Sequence, residues 1–411
     1  MPDAPGHRTC STLVRQGCVA RGVDPVWMRL RPKGENMTSN YAHQLEIRGV
    51  SALIGEVIPM DTWAARMQVP DRKGAGSLSG ARIQEVLGVE GKSWEPALFG
   101  RPETITGVAR AALASAKLNP DDIDALIVVT CTAFELNLGQ DGFRFARELG
   151  LRDDAMVFQL EAGCGGLARA MHVATGVRAS RILVLAYNLP SPITQRLDQA
   201  ANPVYLQNRA HPMKDLLWAS PGIFSDGAGA MVLERTSTDE GVSFYSRDQR
   251  AFGDGPGFRD PIVHYLGGGA LRPVGYDENE QLMGYVMSGK IIAEYYNKGM
   301  LLNHEMLLSL RPSYVQDMRR IYTHQAGPAM VRKFVDISGI PEEKAPTSAT
   351  RLGNLVSPCT IHLLQEDIDA GRVATGDEVC FEVVGAGPER GAFTLPYRVR
   401  ETVQTRDFIP N

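Results

Sequence analysis

From Leu45 onward the chain alternates between two kinds of apolar pattern. One is the short, unbroken, β-branched run: residues 125–130 (ALIVVT) and 181–187 (RILVLAY) predict strands buried on both faces. Residues 47–58 predict a further strand, interrupted at Gly55. The other kind has helical spacing. Residues 104–117 predict a helix that stops before Asn119-Pro120-Asp121, 142–149 predict a second, and a third follows Cys164 and ends at Gly176. The second half continues with helices over 287–296 and 315–320 and a short strand ending Tyr322-Thr323-His324. A helix opening at Pro328 and ending near Gly339 comes next, then Leu352-Gly353-Asn354 and a helix to about 370. A buried strand over 378–384 turns through Gly385-Ala386-Gly387-Pro388 into a last strand. Strands and helices alternating at these lengths predict an α/β fold around central sheets.

Element order repeats. The strand before Cys131 corresponds to the one ending at His324, the Cys164 turn to the Asn354 turn, and the hairpin at Asp226-Gly227-Ala228-Gly229-Ala230 to the one at Gly385. This weak duplication predicts two halves, residues 41–236 and 237–411, that gather Cys164, His324 and Asn354 around one pseudo-twofold centre. Residues 1–40 carry neither periodicity and no long apolar stretch, so a disordered extension is expected there. A start codon assigned too early, so that residues 1–36 are foreign to the native protein, fits the same pattern; a transit peptide fits it less well.

Composition adds exclusions. A chain of 411 residues exceeds one ordinary core. With 44% hydrophobic and 22% charged residues and a net charge of −4, it has neither the basic balance of a nucleic-acid binder nor an apolar run of membrane-spanning length. The six cysteines form no CxxC pair and no disulfide-scaffold density, which fits a reducing cytoplasm and no metal site.

The chemistry centres on Glu161-Ala162-Gly163-Cys164-Gly165-Gly166, a thiol where a strand hands over to a helix. The helix N-terminus favours thiolate, and the flanking glycines leave room for a carbonyl. A lone cysteine is more often inert core; His324 and Asn354 downstream raise this one. Asp226 sits among glycines at a strand start and is read as a structural partner of turn amides.

These pieces, with Phe224-Ser225-Asp226-Gly227-Ala228-Gly229-Ala230, His324-Gln325-Ala326, Gly353-Asn354, Met287-Ser288-Gly289-Lys290 and Gly385-Ala386-Gly387 in order, resemble the thiolase-fold condensing enzymes, most closely the ketoacyl synthase III branch. The resemblance runs from about residue 45 to the end. It implies a five-layer αβαβα protomer made of two pseudo-duplicated halves and a homodimer. It also implies a Cys164 that takes an acyl group from a coenzyme A or carrier-protein thioester and condenses it with a malonyl-type thioester, without metal or resident cofactor. His324 and Asn354 would donate hydrogen bonds to the enolate left by decarboxylation, and the backbone N–H groups of Cys164 and Gly387 would form an oxyanion hole. The segment 131–140 occupies the place of a loop that caps the partner's acyl pocket, with Leu138 at the position that limits chain length and Glu135 a candidate extra base.

Departures from that branch are visible. Gly165-Gly166 is looser than the usual Ser or Ala, Leu355-Val356-Ser357-Pro358 replaces small residues, and 84–94 lacks paired arginines for a coenzyme, leaving Lys92 and Trp94 as partial substitutes. Carrier delivery would use a basic surface, for which Arg311, Arg319, Arg320, Arg332 and Lys333 are candidates. Two other readings stay open: acyl transfer from Cys164 to an alcohol, amine or carrier, and a non-catalytic subunit of a heterodimeric synthase. The loops over 188–220 and 245–285 are expected to wall the acyl pocket.

Overall fold

A computed structural model describes residues 45–68, 77–135, 138–194, 218–237, 241–247, 263–265, 285–287 and 289–399. The expectations for residues 1–40, and most of those for the two pocket loops, lie outside them.

The first half opens with β1 (Leu45–Leu53), β2 (Val57–Pro59), α1 (Met60–Met67), α2 (Gly80–Leu87) and β3 (Gly91–Ser93). It continues through α3 (Pro96–Phe99), α4 (Pro102–Ala116), β4 (Ala125–Thr130), α5 (Gln140–Leu149), β5 (Met156–Glu161) and α6 (Gly166–Gly176). It closes with β6 (Arg181–Asn188), α7 (Pro190–Thr194), α8 (Ala219–Ile223) and β7 (Gly227–Arg235). The expected strand break at Gly55 separates β1 from β2. The second half holds β8 (Ser243–Ser246), β9 (Val263–Tyr265), β10 (Tyr285–Met287), α9 (Gly289–Leu310), α10 (Tyr314–Asp317) and β11 (Arg320–Thr323). Then come α11 (Pro328–Ser338), α12 (Ala349–Leu352), α13 (Cys359–Asp369), β12 (Glu378–Gly385) and β13 (Glu389–Pro396).

Two sheets carry the fold, ordered β1-β7-β6-β4-β5 and β8-β13-β12-β11. In each, the first strand runs antiparallel to the second and the second to the third, and the third is parallel to the fourth. The cores give the layers. One cluster joins Ile127 and Val184 of the first sheet, Phe381 and Phe393 of the second, Leu167 and Met171 of α6 and Leu364 of α13, so α6 and α13 lie between the sheets. A second packs α4 and α5 on the outer face of the first sheet, through residues such as Ala109, Phe145 and Leu183. A third packs α9 and α11 on the outer face of the second sheet, through Met300, Phe334 and Cys380. Helix, sheet, helix, sheet, helix is the five-layer αβαβα arrangement expected from the sequence.

Two helices differ from expectation. The helix predicted over 287–296 starts at Gly289 and continues to Leu310. Gly299, which weakens the helical pattern, is there because a Cβ would stand 2.9 Å from Val384 Cγ1. The helix predicted over 315–320 is a single turn, and Arg320 already belongs to β11.

Candidate active site

The Cys164 turn is built by close packing. After β5 the chain turns through residues 162–165 into α6, and both the Gly166 N–H (2.8 Å) and Ser357 Oγ (2.5 Å) donate to the Gly163 carbonyl. A Cβ on Gly166 would lie 2.3 Å from Val129 Cγ1, and one on Gly165 2.5 Å from Glu389 Cγ. Glu389 is buried and held by Arg169 Nε (2.9 Å) and the Tyr245 hydroxyl (2.9 Å). The Gly-Gly pair is therefore not loose, as the sequence suggests. Its missing side chain is replaced by a carboxylate from the facing sheet.

Asn354 is fixed through backbone and side chain. Its N–H donates to Ile223 O and its carbonyl accepts from Ser225 N–H, both at 2.9 Å. Gly353 takes φ 70°, where a Cβ would sit 2.5 Å from Ser225 Oγ. Asn354 Oδ1 accepts from Val356 N–H (2.8 Å), bracing Val356 in a left-handed conformation (φ 63°) that a β-branched residue rarely adopts. With Oδ1 so engaged, the Asn354 amide hydrogen-bonds the Cys164 sulfur through its NH2. Leu355 and Val356 fill the space of the small residues expected here: Leu355 packs on Gly227, and Val356 joins the cluster of Trp63, Trp94 and Phe224.

His324 follows β11, and its N–H extends the ladder to Glu382 O (2.9 Å). The Tyr296 hydroxyl donates to its carbonyl (2.8 Å). Gln325 anchors the loop, its Oε1 accepting from Thr347 Oγ1 (3.0 Å) and Ser348 N–H (3.0 Å). The ring is almost fully buried, and burial pulls its pKa down to about 3, so it is neutral at physiological pH. Nδ1 lies 3.3 Å from Cys359 Sγ.

Burial also acts on Cys164. Desolvation pushes the thiol well above its ordinary range, the neighbouring Cys131 and Cys359 sulfurs push the same way, and only the hydrogen bond from Asn354 and its own N–H pull it back. Desolvation thus opposes the thiolate that the helix N-terminus favours.

Cys164, His324 and Asn354 come from three separate turns and meet on the wall of one cavity of ≈ 440 Å³. The rest of its described wall is apolar: Leu87, Trp218, Ile223, Ile292, Tyr295 and Met330 are typical, and no described lining residue carries a charge.

Residues 312–397 match the family described as 3-oxoacyl-[acyl-carrier-protein (ACP)] synthase III C terminal. A β-ketoacyl-[acyl-carrier-protein] synthase III from Solibacter usitatus is 27% identical over 290 residues, 69% of this chain and 80% of that protein. The chain has the thiolase fold and is similar to the ketoacyl synthase III proteins. Among solved structures, 3-oxoacyl-(acyl carrier protein) synthase III of Pseudomonas aeruginosa superposes with a TM-score of 0.66 at 20% identity, covering 87% of this chain and all of that one. OleA of Xanthomonas campestris with bound lauric acid and lauroyl-CoA gives 0.68 at 16% identity, over 86% of this chain and 99% of that one.

Other residues singled out in the sequence of this ketoacyl synthase III-like chain are placed elsewhere. Glu135 pairs with Arg144 and Leu138 is 82% exposed; neither lines the Cys164 cavity of its own chain. Gly387 is exposed at the tip of the β12–β13 turn, whereas Gly385 and Ala386 line the cavity. Lys92 and Trp94 are fully buried and cannot grip a coenzyme. The Lys92 ammonium donates to the carbonyls of Pro221, Gly222 (3.1 Å) and Phe224 (2.8 Å) and lies over the rings of Trp63 and Trp94. It thereby caps α8, a wall of the cavity. Asp226 is structural, as read: it accepts from Glu95 N–H (2.7 Å) and Ser191 N–H (2.9 Å).

The basic surface also shrinks. Arg311 pairs with Asp317 and Glu378, Arg319 with Asp377, and Arg320 with Asp367, leaving Arg332 and Lys333 exposed on α11, whose first turn lines the cavity. Sequence reasoning missed Glu389 and Cys359, and took Gln325 only as part of a motif. Among the described residues, no group of three His, Cys, Asp or Glu side chains is arranged to hold a metal ion, and no helix is long and apolar enough to cross a membrane.

Proposed function

We propose that this chain is a decarboxylating condensing enzyme that carries its acyl group on Cys164. The observation that carries the reading is the meeting of one thiol, one neutral imidazole and one oriented carboxamide on a wall whose other described residues are apolar and uncharged. In the first step the Cys164 sulfur attacks a thioester carbonyl. The resulting oxyanion is held by the N–H groups of Cys164 and Ala386, and the proton leaves with the departing thiol. A malonyl-type thioester then occupies the same cavity. Its carbon–carboxylate bond breaks, carbon dioxide departs, and the electron pair becomes an enolate whose oxygen accepts from His324 Nε2–H and Asn354 Nδ2–H. A neutral imidazole suits this role, since donation costs it no charge. The enolate carbon attacks the acyl carbonyl, a carbon–carbon bond forms, and the Cys164 thiolate leaves and takes a proton from water.

The uncharged wall favours an apolar acyl group over a charged one. Delivery is by coenzyme A or a carrier protein, the latter met by Arg332 and Lys333, and the product belongs to fatty-acyl or polyketide chain synthesis. On this reading the enzyme is a homodimer and Leu138, exposed beside α5, reaches the second copy; its exposure supports this. Intact-protein mass spectrometry with a panel of acyl thioesters tests the first step. Adducts on wild type but not on Cys164→Ala are expected; an adduct that persists in the variant would overturn it. Discharge of the adduct by an alcohol or amine, with malonyl thioester inert, would instead indicate acyl transfer.

A further inference from the structure

A neutral imidazole can carry its one proton on either nitrogen, and only the Nε2–H form can donate to a substrate oxygen while Nδ1 is turned to the protein. In this structure Nδ1 of His324 lies 3.3 Å from Sγ of Cys359. Cys359 is the first residue of α13 and is buried. Its own N–H donates to Val356 O (3.3 Å), which leaves the side chain to meet the ring. An imidazole nitrogen accepts a hydrogen bond far better than a thiol sulfur does, so the contact is best made by the thiol's own hydrogen. Burial pushes the thiol up to about 12, so that hydrogen is present, and the ring beside it is neutral. The hydrogen between the two atoms therefore belongs to sulfur.

We propose that Cys359 is a positioning residue: its S–H donates to Nδ1 of His324 and holds the ring as the Nε2–H tautomer. Two central helices then serve one site. The turn before α6 presents the nucleophile, and the first residue of α13 sets the proton on the histidine. The catalytic consequence rests on the donor role proposed for His324; the tautomer itself does not.

Nitrogen-15 NMR of histidine-labelled protein tests it, with His324 assigned by its loss in His324→Gln. The wild type is expected to show an unprotonated Nδ1 and a protonated Nε2, Cys359→Ser to keep that pattern through its hydroxyl, and Cys359→Ala to relax toward a tautomer mixture. Malonyl-thioester decarboxylation by the acyl-enzyme is expected to fall up to about tenfold in Cys359→Ala, relative to Cys164 loading, and to recover in Cys359→Ser. A protonated Nδ1 in the wild type, or an unchanged tautomer in Cys359→Ala, overturns the proposal. Should Cys359→Ala not fold, the wild-type tautomer and Cys359→Ser still decide it. The expected tautomers with no decarboxylation in any variant would leave this inference standing and count against the proposed function.

Discussion

The carboxylate of Glu389 stands where a side chain on Gly165 would project: a Cβ at residue 165 would come within 2.5 Å of its Cγ and 3.0 Å of its Oε1. Gly165→Ser therefore places two side chains in one volume beside the nucleophile. Overpacking of this kind costs roughly 1–3 kcal/mol. A lowered urea midpoint and slower Cys164 loading are expected in Gly165→Ser, with part of the midpoint recovered by adding Glu389→Ala. An unchanged midpoint in the single variant would mean the turn has slack that the packing denies.

Lys92 is buried with Asp226 as the nearby counter-charge and three carbonyls as acceptors. Burial pulls the Lys92 pKa well below the ordinary lysine value, with Asp226 a lesser opposing influence, and Lys92→Met removes the three hydrogen bonds to carbonyls. Leaving a buried acceptor unsatisfied costs roughly 1–3 kcal/mol. The expected result is a drop of that size in chemical denaturation at pH 7. A loss below about 1 kcal/mol would show that the ammonium is not the cap of α8.

Glu382 is buried, with a hydrogen bond from Tyr314 (3.2 Å) on one oxygen and no partner within the described structure on the other. Burial raises its pKa from 4.5 to about 8. Between those values the folded state binds more protons than the unfolded state, so this group makes stability fall as pH rises through the window. Glu382→Gln should match wild type near pH 4.5 and exceed it by a few kcal/mol above pH 8. A stability difference that stays constant from pH 4.5 to 8 would contradict the assignment.

His324 gives a kinetic counterpart. With its pKa depressed to about 3, the ring does not titrate between pH 5 and 8. Decarboxylation by pre-formed acyl-enzyme should accordingly show no inflection near 6.5, the ordinary histidine range. An inflection there that disappears in His324→Gln would place a charged imidazole in the working enzyme.

What the sequence disclosed was local, and what it hid was contact between distant segments. The Cys164 turn is legible because a strand, two glycines and a helix follow one another within about a dozen residues, and β4 because ALIVVT has one reading. The partners of those elements are not adjacent in the chain. Cys359 meets His324 across 35 positions and Glu389 meets Arg169 across 220. Lys92 looks like a coenzyme ligand until the chain brings Pro221, Gly222 and Phe224 around it. The surroundings of Cys164 are half legible for a related reason: a helix N-terminus is visible in sequence, and the desolvation that opposes it is not.

The most direct test is release of carbon dioxide from malonyl thioester by the isolated Cys164 acyl-enzyme, measured for wild type, His324→Ala and Asn354→Ala. Removing one donor to a developing oxyanion costs about 10²–10³ in rate. The account predicts that both variants still load Cys164 and that each loses carbon dioxide release by about that factor. Equal release from all three would contradict the claim that His324 and Asn354 stabilise the enolate.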